Sequence, residues 1–251
     1  MSAREPGDWA VLFDVDGTLL DTAPDIAAAV NELRRERGLA PLELARVRAF
    51  VSHGASALMR VAFPHAPEAE FLALRARLLV LYRAALAVHT RPFAGILELL
   101  AQLEHSGTRW GVVTNKPGWL THPLLEAQHL RERAAVIVSG DTLPQRKPNP
   151  EPLLHAARQL GVPVQRCVYI GDAERDVLAA RAAGMPVLVV RFGYLAPGEN
   201  PLEWPADAWV DSAGEILTWL EARRRTSGAS ASDSRSAEGH QDRLQKSEGR
   251  A

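Results

Sequence analysis

Cysteine is almost absent: Cys167 is the single thiol in 251 residues. An intramolecular disulfide framework and a cysteine-cluster metal site are both excluded. Cys167 lies in the apolar run "CVYI" and reads as a buried strand thiol. Net charge is also missing, at −1 with 29 basic and 30 acidic residues, so nothing points to nucleic acid or an anionic membrane surface. No apolar run approaches the ~20 residues of a membrane span. The opening "MSAREPGDWA" lacks an apolar signal-peptide stretch, and the expected compartment is cytoplasmic and reducing. There are no internal repeats, and histidines 65, 89, 105, 122, 129, 155 and 240 show no metal-ligand spacing.

What is present is an ordinary globular composition, 47% hydrophobic and 24% charged. Five short apolar runs read as buried strands: "AVLF" (10–13), "WGVV" (110–113), "AVIV" (135–138), "CVYI" (167–170) and "VLVV" (187–190). Helical patterns separate the later ones. "PEPLLHAARQLG" places Leu153, Leu154, Ala157 and Leu160 on one face before Gly161, and "RDVLAARAAGM" repeats this with Val177, Ala180 and Gly184. Alternating strands and helices predict a parallel sheet covered by helices on both faces.

The first strand stands apart from that rhythm. Between it and the second lie helical patterns only: Ile26, Val30 and Leu33 in one stripe ending at Gly38, then "ALMRVAF" and "EFLALRARLLVLYRAAL". Residues 22–90 therefore read as a helical domain inserted into a core formed by 9–21 and 91–222, with "HTRPFAG" as the return hinge. The Ser-, Gly- and charge-rich end, 223–251, reads as a disordered tail.

Open parallel sheets bind ligands outside the carboxyl ends of their strands. Four strands end in polar groups: "DVDGT" from Asp14, Thr114-Asn115-Lys116, Ser139-Gly140-Asp141, and Gly171-Asp172 followed by Asp176. Singly, each is also a common turn or helix cap. Together, Asp14, Asp16 and Asp172 offer hard oxygen ligands suited to Mg²⁺, which also offsets the repulsion between adjacent carboxylates. Lys147 in "RKPNPEP" adds a cation, and Thr114 and Asn115 add backbone N–H groups for phosphate oxygens. Carboxylate, Mg²⁺, lysine and amide donors are the tools of phosphoryl transfer.

"DVDGT", Thr114, Lys147 and "GDAERD", in that order over about residues 9–222, resemble the haloacid dehalogenase-like hydrolases, and specifically their phosphatases. The resemblance implies a Rossmann-like parallel sheet core with an inserted α-helical cap of the first cap type. It implies Asp14 as nucleophile, Asp16 as general acid and base, and Mg²⁺ bound by Asp14, the Asp16 carbonyl and Asp172. Thr114 and Lys147 would hold the phosphoryl group, and Asp176 would orient Lys147 or a metal-bound water; beside the resemblance, Asn115 reads as a phosphate-binding residue and Thr18 as a support of the turn. The dehalogenases need no acid at position 16, so Asp16 favours ester hydrolysis.

The broad resemblance is to phosphoglycolate phosphatases. "GVVTNKP" (111–117), "VHTRPFAGILELL" (88–100) and "VRFGYLAPGENPLEWPADAWVD" (190–211) narrow it toward the subgroup that dephosphorylates N-acetylmuramic acid 6-phosphate in peptidoglycan recycling. Tyr194 and Trp204 in that last stretch read first as packing residues. In "VSHGASALMR" (51–60), His53, Gly54 and Arg60 are candidate substrate contacts, as is Lys116. Each also has an ordinary structural role: a loop histidine, a solvated helix face. The rival readings are a hexose-phosphate mutase of the same fold, a phosphorelay receiver and a catalytically dead interaction protein. The insertion and Asp16 argue against the receiver, and the intact motif residues against the dead protein.

Overall fold

The computed structural model describes residues 9–226. The chain starts with β1 (Ala10–Phe13) and β2 (Leu20–Asp21). Four helices follow: α1 (Ala23–Glu36), α2 (Leu44–Arg48), α3 (Gly54–Ala62) and α4 (Phe71–Ala84). Next come β3 (Arg91–Pro92), α5 (Ile96–His105), β4 (Arg109–Val113), α6 (Gly118–Ala127), β5 (Ile137–Val138) and α7 (Glu151–Leu160). Finally β6 (Cys167–Gly171), α8 (Glu174–Ala183), β7 (Val187–Val190) and β8 (Ala208–Val210) complete the sheet. A last helix covers 213–226, so 223–226 are helical where the sequence suggests disorder; the remainder of that expected tail, 227–251, lies outside the described residues.

Six strands form one parallel sheet in the order β5-β4-β1-β6-β7-β8. β1 is central, paired to β4 on one side and β6 on the other, and all four of its residues are buried. A strand covered on both faces reads as an unbroken apolar run, which is why "AVLF" carries no alternation. Ala10, Leu12, Tyr169 and Val189 pack into one layer with Leu153, Ala157, Val177 and Ala180 of α7 and α8. On the opposite face Phe13 meets Trp110 edge to face at 6.3 Å, and the Trp110 Nε1–H donates to Glu104 of α5 at 2.9 Å. Gly161 and Gly184 end α7 and α8 in the left-handed conformation.

The strand order reverses at β1: the chain moves outward to β4 and β5, then returns to β6 on the other side. Such a switch point leaves a crevice beyond the carboxyl end of β1. The helical insert hangs over this end. β2 and β3, its entry and exit, pair antiparallel as Leu20 with Pro92 and Asp21 with Arg91. The Asp25 carboxylate at the start of α1 accepts from the N–H of His89, the N–H of Thr90 and the Thr90 hydroxyl, at 2.7–3.1 Å. Ile26, Val30 and Leu33 of α1 and Leu74, Leu78 and Tyr82 of α4 are buried.

Candidate active site

Asp14 directly follows β1, and its N–H extends the ladder by donating to the Ile170 carbonyl at 2.9 Å. The chain then reverses through Gly17, whose φ of +81° suits glycine. A second reason holds there: a Cβ on Gly17 would stand 2.0 Å from Asp172 Oδ2. On the other side, a Cβ on Gly193 would stand 2.3 Å from Asp172 Cβ. Two glycines thus bracket Asp172, which is fully buried.

Asp14, Asp172 and Asp176 each direct a carboxylate oxygen into one cluster, all within 4.8 Å of one another. Asp172 Oδ2 accepts from the Tyr194 N–H at 2.9 Å and the Ser52 hydroxyl at 2.8 Å, whereas its Oδ1 is buried with no hydrogen-bond partner. Burial, then the charges of Asp176 and Asp14, push its carboxyl well above the ordinary carboxylate range. A buried acid with one unpaired oxygen, clustered with two further acids, suits a hard divalent cation. The residues present therefore fit such an ion, with Asp14 and Asp172 as carboxylate ligands.

Lys147 is the cluster's own counter-charge. Its Nζ lies 2.8 Å from Asp176 Oδ1 and 3.2 Å from Asp14 Oδ1, and it donates to the Tyr169 hydroxyl at 2.6 Å. Tyr169 in turn donates to the Val113 carbonyl at 2.7 Å. Burial alone would push the Lys147 ammonium down; Asp14 and Asp176 reverse this and hold it above its ordinary value. Asn115 fixes the lysine backbone from both sides, donating to the Lys147 carbonyl at 2.8 Å and accepting its N–H at 3.0 Å. Asp176 Oδ2 accepts the Ala173 N–H at 3.1 Å at the start of α8.

Asp16 stands apart from this cluster. Its carboxylate accepts from the Thr22 hydroxyl at 2.6 Å and from Lys116 Nζ at 2.9 and 3.1 Å. Lys116 also donates to the Tyr82 hydroxyl of α4 at 3.1 Å and sits 4.6 Å above its ring centre. Burial lowers the Lys116 ammonium, and Asp16 and Tyr82 more than compensate, leaving it above its ordinary value.

Over these groups lies a cavity of about 470 Å³ whose lining includes Asp14, Asp16, Thr114, Asn115, Lys116 and Lys147 from the core and Ser52, His53, Gly54, Leu58, Arg75 and Tyr82 from the insert. Several expectations change in detail. The Thr114 N–H is already donated to the Val138 carbonyl at 2.9 Å, so it is not free for phosphate; the Thr114 hydroxyl accepts the Lys116 N–H at 3.3 Å. The Asn115 side chain is committed to Lys147. Thr18 closes the turn through its N–H to the Val15 carbonyl, while its buried hydroxyl has no hydrogen-bond partner. His53 lines the cavity with Nε2 3.0 Å from Glu199 Oε1. Arg60 does not belong to that lining: it is exposed, pairs with Glu68 at 3.1 Å and lies 5.0 Å from the Phe71 ring centre. Asp141 holds the start of α6 by accepting the Gly118 N–H at 2.7 Å.

Ser52, Tyr82 and Tyr194 are site residues that the sequence leaves unmarked. Tyr194 packs as expected, yet its N–H reaches Asp172 and its hydroxyl donates to Asp21 at 2.7 Å while accepting the Ala23 N–H at 3.0 Å. Only the adjacency of Ser52 to His53 and Gly54 hinted at it.

Among described residues, no helix is long and apolar enough to cross a membrane. A sequence profile of the haloacid dehalogenase-like hydrolase family matches residues 11–190. A phosphoglycolate phosphatase from Xanthomonas campestris pv. campestris is 47% identical over 207 residues, covering 82% of this chain and 94% of that one. An N-acetylmuramic acid 6-phosphate phosphatase from Pseudomonas aeruginosa is 45% identical over 215 residues, covering 84% and 94%. Among solved structures, a predicted phosphoglycolate phosphatase from Haemophilus somnus superposes with a TM-score of 0.76 at 26% identity, covering 84% of this chain and 97% of that one. With its six-stranded parallel sheet, helical insert and clustered strand-end acids, this chain belongs to the haloacid dehalogenase-like hydrolase family, among that family's phosphatases.

Proposed function

We propose that the chain is a Mg²⁺-dependent phosphatase of small phosphate monoesters that works through an aspartyl-phosphate, and that its preferred substrate is N-acetylmuramic acid 6-phosphate, as in peptidoglycan recycling. The observation that carries the mechanism is the single cluster of Asp14, Lys147, Asp176 and Asp172 at the strand ends, with Asp16 facing the same cavity. Asp14, the Asp16 carbonyl and Asp172 are the ligands assigned to Mg²⁺. When bound, the ion supplies positive charge against the phosphoryl oxygens and the converging carboxylates.

An Asp14 oxygen attacks phosphorus, the bond from phosphorus to the ester oxygen breaks, and Asp16 gives that oxygen its proton. Asp16, now a carboxylate, takes a proton from water, whose oxygen attacks phosphorus. Phosphate leaves and the Asp14 carboxylate is restored. Lys147 holds the phosphoryl group and offers its ammonium to the Asp14 carboxylate 3.2 Å away. Lys116 and Thr22 hold the Asp16 carboxylate in this structure; for Asp16 to reach the leaving oxygen Lys116 must turn from it, and incoming phosphoryl oxygens are the acceptors it turns to.

The Pseudomonas aeruginosa relative and the "GY…ENP" stretch support the muramic acid ester. Phosphoglycolate is the second reading, supported by the 47% identical Xanthomonas relative. Asp14→Asn abolishes Mg²⁺-dependent phosphate release with an unchanged circular dichroism spectrum; retained release would sink the mechanism. kcat/KM for the two esters side by side decides between the substrates, and assaying isomer formation beside free phosphate separates hydrolysis from a mutase reaction.

A further inference from the structure

One face of α4 remains after the chemistry is assigned. Arg75, Leu78, Leu79 and Tyr82 recur at i, i+3, i+4 and i+7, so they share a face, and all four line the cavity. Tyr82 marks the reacting end, because its hydroxyl meets the Lys116 ammonium that holds Asp16. Arg75 lies seven residues earlier, about 10 Å away at ~1.5 Å rise per residue. Helical side chains lean toward the N-terminus, which carries its guanidinium further from the reacting end. Its neighbour Arg77 is paired with Glu36, but Arg75 has no hydrogen bond or ion pair with any described residue. Trp119, at the start of α6, lines the same cavity and is 46% exposed.

We propose that Arg75 is a specificity-determining residue that binds a carboxylate on the substrate's far end, with Trp119 as the platform for a ring between carboxylate and phosphate. The ligand class is a carboxylate-bearing sugar phosphate. This rests on the phosphatase reading above and adds the recognition that it lacks. A free guanidinium at the remote end of an otherwise apolar stripe is a bidentate carboxylate receptor. A two-carbon ester holds its carboxylate too near its phosphate to span two helical turns.

The test compares kcat/KM for N-acetylmuramic acid 6-phosphate with that for N-acetylglucosamine 6-phosphate, which lacks the carboxylate, in the wild type, Arg75→Gln and Arg75→Lys. The ratio of the two values falls about 10- to 100-fold in Arg75→Gln, the range for losing a hydrogen bond to a charged group. The loss falls on KM, and Arg75→Lys recovers part of it. A ratio unchanged in Arg75→Gln overturns the proposal. So does a wild type that hydrolyses phosphoglycolate but neither sugar ester, which leaves the phosphatase reading standing. A wild type that releases phosphate from no ester, p-nitrophenyl phosphate included, overturns both.

Discussion

Removing the Lys147 ammonium would leave Asp176, fully buried, without its ion-pair partner. Breaking a buried pair from one side costs about 3–5 kcal/mol, because the remaining charge stays desolvated. Lys147→Met is therefore expected to lose roughly that much in urea unfolding without divalent cation. The double variant Lys147→Met/Asp176→Asn is expected to lose distinctly less. Equal losses would show that Asp176 is not the charge Lys147 compensates. At this scale the sequence is informative where a residue's place follows from the strand before it. Asp14, Asp172 and Lys116 each come within a few residues of an apolar run, and the fold delivers them to one edge. Ser52 and Tyr194 are opaque for the opposite reason. Ser52 reaches Asp172 across 120 positions, and Tyr194 does so through a backbone N–H that no residue type advertises.

Among elements, β1, β4, β6 and β7 are legible because strands buried on both faces must be continuously apolar. β8 is not: its three residues follow Pro205 and Asp207 at the sheet edge, where only Val210 is buried. β2 and β3 are two residues each, too short for any period. The run "AVIV" shrinks to Ile137–Val138 as paired strand, although the carbonyl of Val136 still accepts the Val112 N–H. What ties α1 to the return segment is equally invisible in the pattern, since a first-turn aspartate usually serves its own helix. Asp25 instead accepts two bonds from Thr90, which is fully buried. Asp25→Ala is expected to cost about 2–3 kcal/mol by stranding those donors. Chemical denaturation measures the loss, and faster proteolysis near residues 85–92 locates it. A loss within about 0.5 kcal/mol, the usual range for a surface change, would show the bonds to be dispensable.

For the molecule as a whole, Cys167 is a built-in reporter. It is fully buried in the layer between the sheet and α7 and α8, and burial pushes its thiol up to about 12. An unfolded chain ionises that thiol near pH 8.5. Above this value the unfolded state binds fewer protons than the folded one, so stability contributed by the buried thiol declines as pH rises toward about 12. At pH 8 a thiol reagent should react only as the chain unfolds globally, and its rate should track denaturant midpoints. Fast labelling of the native protein would mean that the α7–α8 layer opens locally.

The β2–β3 pair has an architectural consequence. Strand neighbours sit about 4.8 Å apart, so the chain leaves the core and re-enters it at almost the same point. To the sheet, everything from Thr22 to Thr90 is therefore a closed loop on a fixed clasp. Lengthening such a loop adds only slowly to its closure entropy. The segment can be enlarged, shortened or exchanged while β1 and β4 keep their register. A lineage could thus redesign the lid as an interchangeable part, keeping one reaction beneath it and changing what is admitted to it.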